Sequence, residues 1–434
     1  MVDLLVKGGR VVTPRGVIDA SIAIENGKIL KILKSGLPKA EEVLDVQGKY
    51  VLPGLIDPHV HFREPGAEYK EDLKSGSAAA AAGGVTTFLD MPNNKPSITT
   101  AKLLEEKRRL AEKKCSVNYG FHFGATNENL REIEKVENIA SVKFYLGSTT
   151  GDLLVDESIL PSYFEVLRKR GIPATAHCEK EELVGRFAKK RQFRYYSELR
   201  PDVCEVESIK AYLEAANKAG NRAHICHTSS KKGLESFKEN KARNRNLSCE
   251  VTPHHLFLTQ TYEKKLGAFA KMNPPLRAAE DRKALIDGLV SGAIDIVATD
   301  HAPHTLEEKE DEFLKAPAGV PGVETMLPLL LNMVNNRFLR LEDVIRVAAE
   351  NPARIFSIKN KGRVTGGYDA DLVIVDLKKG YKISNDDLLT KCAWSPFDGM
   401  RVKGKVEKTI VGGEVVYDLG GIYKSGAQEV VFSR

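Results

Sequence analysis

The fold class is indicated by residues 85–123, which read VTTFLDMPNNKPSITTAKLLEEKRRLAEKKCSVNYGFHF. A β-branched run at Val85–Asp90 is followed by a helical pattern at Ala101–Lys113 and by a second strand-like run at Val117–Phe123. Short strands that alternate with longer helices are typical of a parallel sheet built from βα units. This stretch therefore predicts an α/β fold.

The same alternation continues on both sides of this stretch. The strand-like runs are Leu55–His61, Val85–Asp90, Val117–Phe123, Val142–Leu146, Pro173–Cys178, Ala223–Thr228, Leu247–Thr252 and Ile294–Asp300. Helical patterns such as Glu157–Arg170 and Asp202–Ala219 separate them. Eight βα units fit a closed (β/α)8 barrel, whereas an open doubly wound sheet would need a Gly-rich phosphate loop that residues 57–66 lack. We predict a TIM-like barrel over residues 55–357.

The two ends of the chain have a different pattern. Short strand-like runs joined by turns such as Asn26-Gly27 precede the barrel, and similar runs with a turn at Gly412-Gly413 follow it. We expect residues 1–54 and 358–434 to form one small discontinuous β domain. The loop at His304–Pro321 is too long for a simple connection, and long loops on barrels often act as lids.

Composition excludes several classes of protein. The 434 residues are 42% hydrophobic and 29% charged, with a net charge of +6 spread along the chain, so we expect no nucleic-acid partner. No apolar stretch approaches the ~20 residues of a membrane span, and the N-terminus does not resemble a signal peptide. Six cysteines without a CxxC pair favour reduced, buried thiols. We expect a cytoplasmic protein.

Candidate metal ligands lie at the ends of several predicted barrel strands. His59 and His61 follow each other at i and i+2, so they share a face of the first strand. The later strands end in His177, His227 and Asp300, at the end of the barrel where such enzymes place their chemistry. Four imidazoles and a carboxylate suit zinc, with cobalt and manganese also compatible.

Lys143 on the fourth strand should point into the barrel, because Val142 and Phe144 alternate towards the helices. An ammonium group there would face metal cations. One explanation is that its amine has reacted with carbon dioxide, because the resulting carbamate could bridge two metal ions. The alternative is that Lys143 reaches the rim of the barrel or pairs with an acid.

The remaining cysteines and histidines near these strands are interpreted as structural. We expect Cys178 and Cys226 to point away from the metals into the core, and His224 to lie on the face opposite His227. The other histidines are expected to be packed or to support the ligands; they are His122, His254, His255 and His301.

These residues, in this order, resemble the amidohydrolase superfamily. The surrounding words are DPHVHFREPG, AAAGGVTT, DMPNNKP, MNPPLR, TDHAPH and GVPGVET, which together resemble the dihydroorotase family. The match runs from about Leu52 to Phe356 and includes the WSPF segment at Trp394–Phe397. The resemblance implies reversible cyclisation of N-carbamoyl-L-aspartate to L-dihydroorotate in pyrimidine biosynthesis.

The resemblance also implies roles for individual residues. One metal would be held by His59, His61, carboxylated Lys143 and Asp300, and the other by Lys143, His177 and His227. The substrate would contact His61, Arg63, Asn93, Asn273, His304, Pro321 and Gly322. The implied cofactor is two zinc ions that share a hydroxide, with Asp300 as the catalytic residue that passes the hydroxide proton to the leaving ring nitrogen.

Two other functions remain open at this point. Allantoinases and hydantoinases share the barrel and the metals but act on ureide rings without a ring carboxylate. Arg63 and the paired Asn93-Asn94 argue against them. A non-catalytic scaffold that binds another pyrimidine enzyme would require loss of the metal site, yet every proposed ligand is present.

Overall fold

The computed structural model describes residues 1–149, 151–190, 192–419, 421–423 and 426–434. Eight consecutive parallel strands surround a central axis, and the third is interrupted at His122. Their bounds are Leu55–Val60, Val85–Asp90, Asn118–Phe121 with Phe123–Gly124, Val142–Tyr145, Ala174–His177, Ala223–Ile225, Leu247–Val251 and Ile296–Val297. We refer to them as the first to eighth barrel strands.

The barrel closes between its first and eighth strands. Val60 forms a parallel bridge with His301, and the backbone N–H of His61 donates to the His301 carbonyl at 2.8 Å. Each of the other neighbouring strands follows its partner in sequence. The predicted (β/α)8 architecture is therefore confirmed, with strands one to three residues shorter than most of the predicted runs.

The α-helices occupy the outside of the barrel and its loops. Their bounds are Leu73–Ala82, Ala101–Lys114, Leu130–Ile133, Leu160–Arg170, Glu181–Phe187, Asp202–Ala219, Lys231–Lys241, Pro253–Phe257, Glu263–Leu266, Ala279–Val290, Leu306–Glu310, Met326–Asn335, Leu341–Ile345 and Asn351–Ile355. Local signals set their ends: Asp202–Ala219 begins after Pro201 and stops at Gly220, whose φ of 69° is left-handed. No helix in the described residues is both long enough and apolar enough to cross a membrane.

Strands from both ends of the chain form one further sheet. In the described residues its order is Gly421–Ile422, Glu414–Asp418, Arg401–Val411, Leu372–Lys382, Tyr50–Pro53, Val2–Thr13, Gly16–Glu25 and Lys28–Leu33, with Ala40–Asp45 paired to Val2–Thr13. The Tyr50–Pro53 strand joins the two sets, because it is parallel to Val2–Thr13 and antiparallel to Leu372–Lys382. The exact division at residues 54 and 358 stays a prediction.

The His304–Pro321 segment packs on the carboxyl ends of the barrel strands. It contains the helix Leu306–Glu310, which is capped at its N-terminus by Thr305, and is otherwise irregular. Ala302 donates its backbone N–H to the Val320 carbonyl at 2.9 Å, so the segment's end returns to the eighth strand. The segment thus lies beside the predicted metal ligands.

Candidate functional site

The carboxyl ends of the barrel strands open into a narrow cavity. The predicted residues that line it are His59, His61, Arg63, Asn93, Lys143, His177, His227, Asn273 and Asp300. All six predicted metal ligands are thus brought together, although they come from five different strands or strand ends.

His59, His61 and Asp300 form the first group of ligand atoms. Oδ1 of Asp300 lies 3.0 Å from Nε2 of His61 and 3.3 Å from Nε2 of His59. Their ligand atoms lie within 4.8 Å of one another, and all three side chains are buried. This arrangement fits a divalent metal ion bound by two imidazoles and a carboxylate.

The other ring nitrogen of each histidine is already occupied. Nδ1 of His59 is hydrogen-bonded to Glu250, and Nδ1 of His61 lies 2.6 Å from Oδ1 of Asn93. Because Nδ1–H donates to an oxygen in each case, Nε2 is the ring nitrogen that faces the cavity. Sequence reasoning did not identify Glu250, since its partner is 191 residues away.

His177 and His227 form the second group. Their rings are nearly perpendicular, and Nδ1 of His177 lies 3.0 Å from Nε2 of His227. Nε2 of His177 lies 2.9 Å from the carboxylate of Glu179, which Arg200 in turn binds at 2.6 Å. These two ring nitrogens are therefore close enough together to bind one metal ion.

Lys143 lies between the two groups and is completely buried. Its Nζ donates to Sγ of Cys226 at 2.9 Å, and no carboxylate in the described part of the chain forms an ion pair with it. Neither alternative explanation, exposure at the rim or pairing with an acid, matches these contacts.

Two expectations about the sixth strand were wrong. Cys226 points into the site and not away from it, and its sulfur belongs to a cluster with His59 and Glu250. His224 also faces the barrel interior, where it binds Glu250 at 2.9 Å. Regular alternation fails because the strand ends at Ile225 and His227 adopts a φ of 36°, which turns its side chain inwards.

Three residues at the site have a left-handed backbone conformation. Arg63, His227 and Asp300 have φ values of 62°, 36° and 47°. Such conformations are unfavourable for residues with a Cβ atom and persist only where the surrounding structure requires them. Each residue follows the end of a barrel strand, so this strain aims its side chain at the cavity.

Burial and neighbouring charges set the protonation of the ligands. Burial would raise the pKa of Asp300, but the imidazoles of His59 and His61 outweigh it and hold the pKa well below the usual range. Burial lowers the pKa of His61 to about 4. Burial also disfavours a charged His59, yet the Glu250 carboxylate prevails and raises its pKa to about 10, so this pair holds a proton that a metal ion would displace.

Arg63 lines one side of the cavity, and His304 lies next to it without lining the cavity itself. The guanidinium of Arg63 is buried, and its Nε donates to the Pro303 carbonyl at 3.1 Å. Lys70 donates to Nδ1 of His304 at 3.0 Å, so Nε2–H of His304 donates to the Ala318 carbonyl at 3.1 Å. The guanidinium forms no ion pair with a carboxylate of the described residues, so it can bind an anionic group of a ligand.

The other predicted substrate contacts differ in position. Asn273 lines the cavity and accepts from the Tyr196 hydroxyl at 3.0 Å. Pro321 and Gly322 do not line it, and the backbone N–H of Gly322 donates to Nδ1 of His301 at 3.1 Å. Instead, Ala318 and Gly319 of the same segment face the cavity. The assignments of Pro321 and Gly322 stay predictions.

Comparisons with known proteins agree with this geometry. Residues 50–416 match the model of the amidohydrolase family. The dihydroorotases of Methanosarcina acetivorans and Pyrococcus horikoshii are each 40% identical to this chain, over 96% of its length and 92% of theirs.

Solved structures show the same architecture. An L-hydantoinase (dihydropyrimidinase) from Arthrobacter aurescens superposes with a TM-score of 0.95 at 30% identity, covering 99% of this chain and 100% of that one. A D-hydantoinase (dihydropyrimidinase) from Thermus sp. gives a TM-score of 0.90 at 29% identity, covering 98% of both chains. The similarity therefore extends over the barrel and the terminal sheet.

Proposed function

This chain belongs to the amidohydrolase family, among its dihydroorotases, and from this premise we propose that it catalyses the reversible cyclisation of N-carbamoyl-L-aspartate to L-dihydroorotate and water. The reaction is a step of de novo pyrimidine biosynthesis. The substrate is a small dicarboxylate, so the site must bind a carboxylate as well as the reacting amide. The predicted cytoplasmic location and the monomeric or homodimeric state are part of the same proposal.

Arg63 is the observation that carries this proposal. Its guanidinium lies in the cavity wall beside His304, while its backbone directly follows the strand end that supplies His59 and His61. A buried cation at this position can bind a ring carboxylate in bidentate fashion. Hydantoin and allantoin rings carry no such carboxylate, so they would leave the buried guanidinium without an anionic partner.

We propose two zinc ions bridged by N6-carboxylated Lys143 as the cofactor. His59, His61 and Asp300 would hold one ion, His177 and His227 the other, and the Lys143 carbamate both. The buried donor atoms fit this role, because the remaining ring nitrogens of His59, His61 and His177 are bound to Glu250, Asn93 and Glu179. When bound, the ions would lower the pKa of a shared water to near neutrality and polarise the reacting carbonyl.

Asp300 is proposed as the residue that moves the proton. Its carboxylate lies against both first-group imidazoles and remains ionised, so it can accept a proton from the attacking water and deliver it to the leaving ring nitrogen. In the biosynthetic direction the same carboxylate removes a proton from the ureido nitrogen. Arg63, Asn93 and His304 would hold the substrate carboxylate during these transfers.

A hydantoinase activity is the second candidate, because the solved structures compared above are hydantoinases. The two are separated by turnover of dihydroorotate, hydantoin and allantoin on one sample whose metal content is also measured. We expect hydrolysis of dihydroorotate and cyclisation of carbamoyl-aspartate with two metals per chain. Faster turnover of hydantoin would overturn the proposal, and a metal-free, inactive protein after gentle purification would favour the scaffold.

A further inference from the structure

One wall of the cavity is held by two buried lysines. Ala318 and Gly319, in the irregular part of the His304–Pro321 segment, line the cavity opposite the strand ends. The side chains of Lys271 and Lys309 lie behind this wall and are 5% and 1% exposed. We call these two lysines, with the carbonyls that they bind, the lysine clasp.

Each ammonium group of the clasp meets three carbonyl oxygens. Nζ of Lys309 donates to the carbonyls of Lys271, Pro317 and Gly319 at 3.2, 2.9 and 3.0 Å. Nζ of Lys271 donates to those of Phe313, Leu314 and Ala316 at 2.8, 3.0 and 2.5 Å. An ammonium has three N–H donors, so both groups are fully satisfied by backbone.

Burial of the two ammonium groups of the clasp is energetically unfavourable. Neither lysine forms an ion pair with a carboxylate in the described ranges, and burial lowers the pKa of Lys309 to about 7 and that of Lys271 to about 8. Burying a charge without a counter-charge is unfavourable unless it is well hydrogen-bonded. Five of the six carbonyls belong to residues 313–319, so the two buried ammonium groups order this short stretch.

The ordered stretch packs against His304, which is a predicted contact of the substrate carboxylate. The Ala318 carbonyl accepts from Nε2 of His304 at 3.1 Å. Gly319 has a φ of 141°, and a Cβ there would lie 3.0 Å from Nε2 of His304 and 2.5 Å from the Ala302 carbonyl. The backbone therefore packs directly on His304, and a shift of the stretch would move both the wall and the imidazole.

We propose that Lys271 and Lys309 are positioning residues for substrate binding: through the backbone of residues 313–319 they hold Ala318, Gly319 and His304 in the geometry that accepts the substrate. The inference rests on the proposed function for the identity of the substrate. The position of the wall, however, is a property of the protein alone and can be measured without substrate.

The test compares Lys309→Met and Lys271→Met with Lys315→Met. Lys315 lies in the same stretch, is exposed and pairs with Glu312 at 3.0 Å, so its loss controls for removing a lysine here. We expect faster hydrogen–deuterium exchange at residues 313–319 in both clasp variants. We also expect kcat/KM for carbamoyl-aspartate to fall by about 100-fold, mainly through KM, with unchanged metal content.

Exchange and kinetics equal to those of Lys315→Met would overturn the proposal. If Lys309→Met does not fold, Lys309→Gln retains an amide donor and should give an intermediate exchange rate; exchange at the wild-type rate would again contradict the clasp. If the wild-type enzyme does not cyclise carbamoyl-aspartate, the proposed function fails, while exchange of residues 313–319 still decides whether the clasp orders the wall.

Discussion

The carboxylate of Glu250, inside the seventh barrel strand, binds Nδ1 of His59 on the first strand. Its second oxygen lies 2.9 Å from Nε2 of His224, so the carboxylate is held from both sides in the barrel interior. This contact determines which nitrogen of His59 faces the cavity. It would therefore make metal binding depend on a residue outside the predicted set of ligands.

Glu250→Gln should weaken metal binding. The glutamine amide keeps the shape of the Glu250 side chain, but it lacks the negative charge that stabilises the orientation of the His59 ring. It can also present its NH₂ group to Nδ1 in place of an oxygen. Loss of such a supporting contact costs about 10- to 100-fold in metal affinity. Titration with a competing chelator measures the change, and Glu165→Gln on an exposed helix face is the control. Unaltered affinity would show that His59 is oriented by packing alone.

Lys143→Ala should lose most of the metal and the activity, because no other anion would bridge the two ligand groups. Short carboxylic acids should restore part of the activity by occupying the space of the carbamate. Metal analysis and turnover on one preparation check both points, with the exposed Lys169→Ala as the control. Two bound metals and full activity in Lys143→Ala would exclude the bridge.

Arg63→Met should lower kcat/KM for dihydroorotate while leaving the metal content intact. Loss of a buried, charge-assisted contact to a carboxylate costs about 2–4 kcal/mol, or roughly 30- to 1000-fold. Steady-state kinetics of this variant and of Arg109→Met, an exposed arginine on the helix Ala101–Lys114, give the comparison. An unchanged kcat/KM would mean that the substrate carboxylate binds elsewhere.

Asp300→Asn separates ligation from proton transfer. The amide retains an oxygen ligand but has no basic site, so we expect kcat to fall by at least ~100-fold while much of the metal stays bound. Both quantities must come from the same preparation. Near-normal kcat with metals in place would assign the proton transfer to another group.

Glu324→Gln should change how stability depends on pH. Burial raises the pKa of Glu324 from 4.5 to about 8, so between these values the folded protein binds a proton that the unfolded chain has lost. Stability contributed by this group is thus complete below pH 4.5 and falls as the pH rises to about 8.

The glutamine variant lacks this loss. Its amide oxygen can still accept from the backbone N–H of Leu389, which Glu324 binds at 2.9 Å. Each unit of pKa corresponds to about 1.4 kcal/mol, so the variant should gain up to a few kcal/mol relative to wild type between pH 5 and pH 8.5. Urea unfolding at both pH values measures the gain. Parallel pH profiles for the two proteins would contradict the assignment.

Local periodicity was sufficient to predict the barrel and to place several of the candidate ligands in its interior. Alternation along regular strands correctly placed His59, His61 and Lys143 on the inner face, because a strand's side-chain period is two. The same rule failed at Cys226, where the strand stops one residue earlier and the backbone turns left-handed at His227. The left-handed conformation of His227 could not be predicted from strand alternation alone.

The supporting residues could not be found in this way. Glu250 and Arg200 act through contacts that the fold creates between distant strands and loops. The sequence around each of them does not differ from that around any other buried polar residue. Glu179 was the exception in principle, since it follows His177 by two residues. The lysine clasp could not be predicted from the sequence either, because Lys309 lies in a segment whose composition suggests an exposed loop.

The sheet formed by both chain ends has a consequence for biosynthesis of the protein. Lys49, next to the Tyr50–Pro53 strand, binds Asp376 across 327 residues of sequence. A ribosome that adds about 5–20 residues per second needs tens of seconds to deliver that partner. During this time the Tyr50–Pro53 strand has an unpaired edge, the kind of surface on which nascent chains aggregate. When the protein is synthesised at a high rate, its yield should therefore be limited by aggregation of the first 53 residues and not by folding of the barrel.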